Sequence, residues 1–148
     1  MNLDDLSDLF AKLEIKIQQQ LSRDLPKKVG NLAVRLFKQN FQRESFFGKA
    51  WQEVKRRLNP KTKGAASRRR ILTGPTGNLG RSIQFTPRDG SVLVFSDLPY
   101  SSAHNEGTNN AGRSHSTRIP QRQFMGDDQE LEQQVRQLIE KEISNTIK

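Results

Sequence analysis

The clearest strand signal in the chain lies in residues 82–96, which read SIQFTPRDGSVLVFS. Polar and apolar residues alternate over 82–86, and β-branched and aromatic residues fill 91–95, which are patterns typical of strands. Asp89-Gly90 between these two runs is a turn signal that favours a β-hairpin. The sequence therefore predicts one hairpin, with strands at 82–86 and 91–96.

Two amphipathic helices are predicted upstream of this hairpin. The first covers residues 3–24, where Asn2 is placed to cap the start and the apolar residues recur every three or four positions. Those residues are Leu6, Phe10, Leu13, Ile17 and Leu21. The second follows Pro26, and its apolar stripe consists of Val29, Leu32, Ala33, Leu36, Phe37 and Phe41. Because proline disfavours helix in the residue before it, we expect a break at Leu25-Pro26 and two helices that cross or form a hairpin.

The remaining segments are less regular. Residues 43–58 suit a short helix or a tucked loop whose aromatic side chains close the core. Residues 99–107 suit a short helix after Pro99, and residues 107–118 have the composition of a flexible loop. A last helix is predicted from about residue 127, since Asp127 and Glu130 have capping-box spacing and an apolar face follows.

Together these elements predict the α+β class, with a small, mostly antiparallel sheet flanked by long N-terminal helices and a C-terminal helix. A chain of 148 residues has the length of one domain. Within 1–148 we expect a helical part at 1–58, a basic loop at 59–70, the hairpin with loops at 71–126, and the C-terminal helix at 127–148.

Composition excludes several classes of protein. Only 32% of the residues are hydrophobic, so the core is small, or it is completed against a partner. The chain has no cysteine, which excludes disulfide scaffolds, cysteine-zinc sites and thiol nucleophiles. It also lacks an apolar run of the roughly 20 residues that a membrane-spanning helix needs. The acidic start does not resemble a signal peptide, so we expect synthesis in the cytoplasm and no membrane partner.

The net charge of +9 is concentrated in one segment. Residues 26–70 carry fourteen basic and two acidic side chains, whereas residues 1–25 and 127–148 are each net acidic. The densest run, 55–70, contains no acidic residue and is predicted to be an exposed loop. Its eight cations, which would bind DNA without sequence preference and with strong salt dependence, are Lys55, Arg56, Arg57, Lys61, Lys63, Arg68, Arg69 and Arg70. A solvated loop, or one that faces a protein partner, is the alternative.

No catalytic, cofactor or metal site is predicted. Gly74, Gly77 and Gly80 do not have the spacing of a phosphate-binding loop. His104 and His115 are the only histidines and lack a ligand pattern for zinc. Nothing in the spacing supports a Ser-His-Asp catalyst, so His104 is expected to make a structural hydrogen bond in a turn.

Three stretches, in order, resemble the phage virion morphogenesis family, the tail-completion proteins of contractile-tailed phages and related prophages. The first is Ile71-Leu72-Thr73-Gly74 followed by Gly77-Asn78-Leu79-Gly80-Arg81-Ser82-Ile83. The second is Tyr100-Ser101-Ser102-Ala103-His104-Asn105-Glu106-Gly107, and the third is Ile119-Pro120-Gln121-Arg122-Gln123-Phe124-Met125-Gly126. Upstream, Gly48, Trp51 and Leu58 are similar to a glycine–tryptophan–leucine region of that family.

The residues that carry this resemblance are candidates for structural or interface roles. They are Leu79, Ser82, Tyr100, His104, Gly107, Pro120, Arg122, Phe124 and Gly126. Tyr100, His104 and Gly107 are expected to build one rigid turn. Phe124 is an anchor for either the chain's own core or a neighbour, and Arg122 beside it is a candidate for a bidentate carboxylate pair.

The resemblance implies a non-enzymatic virion protein that is made and assembled in the bacterial host cytoplasm. It implies tail completion and head–tail joining by a homo-oligomeric ring at the head-proximal end of the tail. Its partners would be other copies of itself, the tail tube and head-connector proteins, with non-specific contact with passing DNA. The alternative, drawn from the basic segment 55–70, is a stand-alone module that binds nucleic acid without sequence preference.

Overall fold

The computed structural model describes residues 2–148, and it confirms the α+β class. The helical elements, in chain order, are α1 Leu3–Gln19, a π-helical turn Gln20–Asp24, α2 Leu25–Arg43, α3 Lys55–Leu58, α4 Ala65–Arg68, α5 Asn78–Arg81, α6 Ser101–Glu106 and α7 Gln129–Ile147. The strands are β1 Ser45–Phe46, β2 Lys49–Ala50, β3 Ile83–Arg88, β4 Ser91–Ser96, β5 Thr108–Ala111 and β6 Thr117–Ile119.

The strands form three separate two-stranded sheets rather than one small sheet. The predicted hairpin is confirmed as β3–β4. The other two pairs lie where no strand was predicted: β1–β2 pairs Ser45 with Ala50, and β5–β6 pairs Thr108 with Ile119. The prediction of a flexible loop over 107–118 was therefore wrong. The β5–β6 hairpin is held by backbone hydrogen bonds, which form without apolar side chains. The prediction of a loop rested on the lack of such side chains.

The break predicted at Leu25-Pro26 was also wrong, because the chain stays helical from Leu3 to Arg43. The Leu25 N–H bonds to the Gln20 carbonyl, five residues back, in the π-helical turn that precedes Pro26. A proline has no N–H and crowds the carbonyl four residues before it, so a wider turn at this point accommodates the ring. The capping of α1 by Asn2 is confirmed: the Asn2 side chain accepts from the Asp5 N–H at 2.8 Å.

The chain divides into two compact units. The helical unit comprises the residues up to Ala33, together with Phe85–Val94 and Gln129–Lys148. In it, α1 packs on α7, and the Gln20 amide donates to the Thr146 hydroxyl at 2.8 Å. Gly30 lies against the Phe85 ring so closely that no larger residue fits there. The buried apolar residues of this unit are Leu25, Leu32 and Ala33.

The core unit comprises Val34–Gln84 and Phe95–Asp128. Its buried apolar residues are Leu36, Phe37, Phe41, Phe46, Trp51, Ile71, Leu79, Ile83 and Phe124. The Phe41 ring is central, with its centroid 5.5 Å from that of Trp51 and 5.0 Å from that of Phe124. Aromatic rings at these separations contribute about 0.5–1.5 kcal/mol per pair beyond the burial of their area. The prediction of a single domain with the boundaries given above stays a prediction.

Candidate functional site

The extended segment 120–126, the last stretch of the family resemblance, lies at the centre of the core unit. Phe124 has no exposed surface and packs on Phe41. Phe124 therefore fills the chain's own core, which resolves the two alternatives left open by the sequence. Trp51 donates its indole N–H to the Gln123 carbonyl at 2.7 Å, so the same segment is also held by the residue that follows β2.

Two asparagines fix the backbone of this segment. Asn105, on α6, accepts the N–H groups of Phe124 and Met125 at 2.9 and 3.0 Å and donates to the Met125 carbonyl at 3.1 Å. Asn40, on α2, is buried and donates to the Phe124 carbonyl at 3.0 Å. Backbone groups at the edge of an apolar core are costly to leave unpaired, so these amides replace the strand partner that the segment lacks.

Sequence reasoning missed both asparagines. Asn40 carried a signal, since a polar, helix-disfavouring residue lies within the apolar stripe of a long helix. Asn105 lies in the second stretch that resembles the family, between the candidate residues His104 and Gly107. Neither its residue type nor its spacing indicates a structural role.

Arg122 does not form the predicted carboxylate pair. Its Nε donates to the Gln52 carbonyl at 2.8 Å, and its Nη2 donates to the Glu53 carbonyl at 3.2 Å. The residue is 8% exposed, and burial holds the pKa of its guanidinium below the usual value. Arg122 thus joins segment 120–126 to the residues that follow β2. Its acceptors are backbone carbonyls about seventy positions earlier in the chain, so the residues next to Arg122 in the sequence give no sign of this contact.

Tyr100, His104 and Gly107 lie on one short element, α6 with its flanking residues. The Tyr100 and His104 rings meet edge to face at 6.2 Å, and Gly107 ends the helix at φ +76°. A Cβ atom at Gly107 would lie 2.9 Å from the Gln121 nitrogen, so a larger residue would be excluded by both space and conformation.

The His104 side chain does not make the expected hydrogen bond. Its Nδ1 is buried without a partner in residues 2–148, while its backbone carbonyl accepts the Arg122 N–H at 2.9 Å. Burial, and secondarily the positive charge of Arg122, lowers the pKa of the imidazole from its ordinary value of 6.5. His104 is therefore neutral at pH 7.

The other residues that resemble the family lie in the core unit as well. Leu79 is buried on α5, and Ser82 lies between the end of α5 and the start of β3. The Ser82 hydroxyl lies 2.6 Å from both the Leu79 carbonyl and the Ser96 hydroxyl, which joins α5 to the end of β4. Pro120 and Gly126 bracket the segment that Phe124 anchors, as the sequence suggests.

The basic segment 55–70 is not the free loop that was predicted. It contains α3 and α4, and Arg56 holds them together by donating to the carbonyls of Ala66 and Arg70 at 2.6 and 2.9 Å. Arg57 is paired with Glu44 at 2.9 Å and with Glu53 at 2.8 Å. These two hydrogen-bonded carboxylates raise the pKa of Arg57, and the Arg57 bond lowers the pKa of Glu53.

Two of the eight cations are therefore structural, and the others keep their charge available. Arg69 is half-buried. The five exposed cations, none of which forms an ion pair within residues 2–148, are Lys55, Lys61, Lys63, Arg68 and Arg70. Such a surface attracts an anionic partner through charge, without the base contacts that read a sequence.

Neither a metal-binding cluster nor a membrane-spanning helix is present in residues 2–148. No group of three or more His, Asp or Glu side chains of that range has the arrangement of a metal site. No helix of that range combines the length and the apolar character required to cross a bilayer.

The sequence of the chain was compared with models of known protein families. The model of the phage virion morphogenesis family matches residues 1–144 of the 148. This chain belongs to the phage virion morphogenesis family. No curated protein and no solved structure matches it significantly.

Membership in the phage virion morphogenesis family gives the chain a structural or assembly role in the phage virion. The family is not known for enzymatic activity. The match runs through α1, the core unit and most of α7, so both units are part of the family pattern. The functional roles of the individual family-like residues stay predictions.

Proposed function

We propose that this chain is a tail-completion protein that forms an oligomeric ring at the head-proximal end of the phage tail. The ring would finish the tail tube and present a surface to which the head connector joins. Its partners would be other copies of itself, the tail-tube protein and the connector. Assembly would take place in the cytoplasm of the bacterial host, and the protein would remain in the virion.

The exposure of large apolar side chains in the helical unit supports self-association. Phe10 is 60% exposed and Leu3 is 83% exposed. Among the described residues of this unit, the exposed large apolar side chains are Leu3, Leu6, Leu9, Phe10, Ile15, Leu21, Leu93 and Ile147. Four of them, Leu3, Leu6, Leu9 and Phe10, lie within three turns of α1, and grouped apolar exposure of this kind is typical of interfaces. Covering it in an oligomer also accounts for the low hydrophobic content of the chain.

The exposed cations of segment 55–70 fit a ring through which DNA passes. Lysine and arginine side chains attract phosphates without holding one sequence, so DNA is free to move along them. Arg56 and Arg57 keep the segment ordered, and Lys61, Lys63, Arg68 and Arg70 would face the DNA or the rim of the channel.

A deletion and complementation experiment tests the proposed function. The coding sequence of this chain is removed from the phage or prophage genome that carries it, and the particles are imaged by negative-stain electron microscopy. We expect filled heads and separate tails, with joining restored by the intact gene in trans. Normal virions from the deletion strain would contradict the proposal.

The alternative function, a nucleic-acid-binding module, is favoured by the same five exposed cations. It requires tight DNA binding by a monomer at physiological salt, and it does not require self-association. Light scattering after size exclusion, with and without a short DNA duplex, separates the two functions. A discrete oligomer without DNA supports the ring, whereas a monomer whose mass increases only with DNA supports the module.

A further inference from the structure

The start of α1 is an amphipathic helical segment whose apolar side chains are exposed to solvent. Every residue from Asn2 to Lys12, here called the terminal arm, is exposed. Leu3, Leu6 and Phe10 lie along it at helical spacing and are 83%, 36% and 60% exposed. A helix that presents an apolar stripe to water gains free energy when a second surface covers that stripe.

The last turn of α7 reaches the second half of the terminal arm, and the first turns of the arm are not part of that contact. Thr146 and Ile147 line a shallow groove with Leu9, Phe10 and Leu13. Leu3 lies six residues before Leu9, which is about 9 Å along a helix axis. Neither Leu3 nor Leu6 lines this groove.

The arm also carries free negative charge. Its acidic residues are Asp4, Asp5 and Asp8, with Lys12 as its one cation. Asp5 is used by the helix cap, where its carboxylate accepts the Asn2 N–H at 3.1 Å. Asp4 and Asp8 form no hydrogen bond or ion pair through their side chains within residues 2–148, so both carboxylates are available to a cationic partner.

The core unit contains a groove with the complementary chemistry. It has a volume of about 340 Å³, and its lining includes Val54, Lys55, Arg118, Pro120 and Arg122. Val54 and Pro120 supply apolar surface, and Lys55, Arg118 and Arg122 line the groove with them, against one acidic side chain, Glu53. We call this the basic groove.

Arg122 makes the basic groove a site for an anion. Its Nε and Nη2 are used by carbonyls, whereas Nη1 has no partner among residues 2–148. Glu53, the acidic side chain in the lining, is already bonded to Arg57 at 2.8 Å. A guanidinium with so little exposure and no carboxylate partner is stabilised by any carboxylate that enters the groove.

We propose that the terminal arm of one copy docks in the basic groove of the next copy. Leu3 would enter against Val54 and Pro120, while Asp4 and Asp8 would meet Lys55, Arg118 and the free side of Arg122. The arm and the groove are different surfaces, so the association is head-to-tail, which is the type that builds rings. This inference rests on the self-association in the proposed function and names the surfaces that produce it.

Charge-reversal variants of the full-length protein test this docking. The arm variant is D4K/D8K, and the groove variant is K55E/R118E, which changes exposed side chains and leaves Arg122 intact. The matched control, R88E/K141E, makes the same charge change at exposed positions outside the groove. Circular dichroism verifies that all three fold, and L3S provides an arm variant that keeps every charge.

We expect the oligomer mass in light scattering to be lost in the arm and groove variants and retained in the control. Their dissociation constants should rise at least tenfold, and L3S should weaken assembly in the same direction. Mixing the arm variant with the groove variant should restore an oligomer in which the two chains alternate, since the unchanged arm fits the unchanged groove and the reversed arm fits the reversed groove. Combining all four changes in one chain should restore the oligomer, because both charges are then reversed.

Three outcomes would overturn the docking of arm in groove. A wild-type chain that is monomeric at every concentration removes it and also contradicts the ring. Arm and groove variants that keep the oligomer mass of the wild type would contradict the docking. The proposed ring would then have to form through another surface. A groove variant whose DNA affinity falls while its mass stays unchanged assigns the groove to nucleic acid instead.

Engineered cysteines give an independent measurement, because the chain has none of its own. A chain with L3C is mixed with a chain with V54C under mild oxidation. We expect a disulfide-linked dimer of the two chains, and much less of it when V54C is replaced by S114C, an exposed position in the same unit. Equal yields from both mixtures would count against the arm and groove.

Discussion

The two units of this protein distribute their apolar side chains in opposite ways. The core unit buries nine apolar residues and exposes Leu58 and Tyr100. The helical unit, counted over its residues from Asn2 onward, buries three and exposes eight large ones. Their charges differ as well, with sixteen basic and six acidic residues in the core unit against nine and ten in the helical unit. One unit is folded around its own interior, and the other presents the surface that association would cover.

The largest effect should come from truncating one aromatic in each unit. F124A removes a fully buried ring and should lower the free energy of unfolding by about 3–5 kcal/mol. F10A removes a ring that is 60% exposed and should change the free energy of unfolding of the monomer by less than about 1 kcal/mol, while weakening self-association. Urea unfolding at low protein concentration measures both. Equal losses in the two variants would abolish the contrast between the units.

The next effect concerns the polar support of the core unit. N105A leaves the N–H groups of Phe124 and Met125 without their acceptor and should cost about 1–3 kcal/mol of unfolding free energy. N109A, in an exposed position on β5, is the control and should cost less than about 0.5 kcal/mol. Thermal or urea unfolding gives the comparison. Similar small losses in both would show that the Asn105 amide does not stabilise segment 120–126.

A smaller effect should appear in the pH dependence of stability. Since the pKa of His104 is lower in the folded chain than in the unfolded chain, the unfolded chain binds the extra proton more readily. Stability should therefore fall as the pH drops below about 6.5, with no such loss between about pH 7 and 8. H104Q should flatten this part of the profile, and H115Q, at an exposed position, should leave it unchanged. Identical profiles for H104Q and the wild type would show that His104 does not titrate differently in the fold.

The smallest effect on stability, with a clear effect on binding, is expected from R68Q/R69Q/R70Q. This variant should reduce the slope of log affinity for duplex DNA against log salt by up to about 2.7, because each phosphate that a cation neutralises contributes about 0.9 to that slope. Its melting temperature should stay close to that of the wild type. The control K12Q/K16Q/K141Q removes three cations from the helical unit and should leave the slope unchanged. Equal slopes for both variants would remove DNA from the role proposed for segment 55–70.

Local patterns in the sequence predicted the elements that depend on neighbours along the chain. The β3–β4 hairpin follows from its alternation and its Asp89-Gly90 turn, and α1, α2 and α7 follow from their apolar stripes. The β1–β2 and β5–β6 pairs were missed because such short strands carry too little alternation to mark them. The break at Pro26 was predicted wrongly because a π-helical turn, which has no sequence signature of its own, accommodates the ring.

Composition and local patterns were enough to predict the α+β class, the concentration of charge in 26–70, and the three stretches that resemble the phage virion morphogenesis family. The packing of the elements was needed to establish that Phe124 fills the chain's own core, that Arg122 binds the carbonyls of Gln52 and Glu53, and that the residues of the terminal arm are exposed. The physical reason is separation along the chain. Periodicity reports the face that a residue presents within its own element, whereas the partner of Arg122, some seventy positions away, is set by how the elements pack.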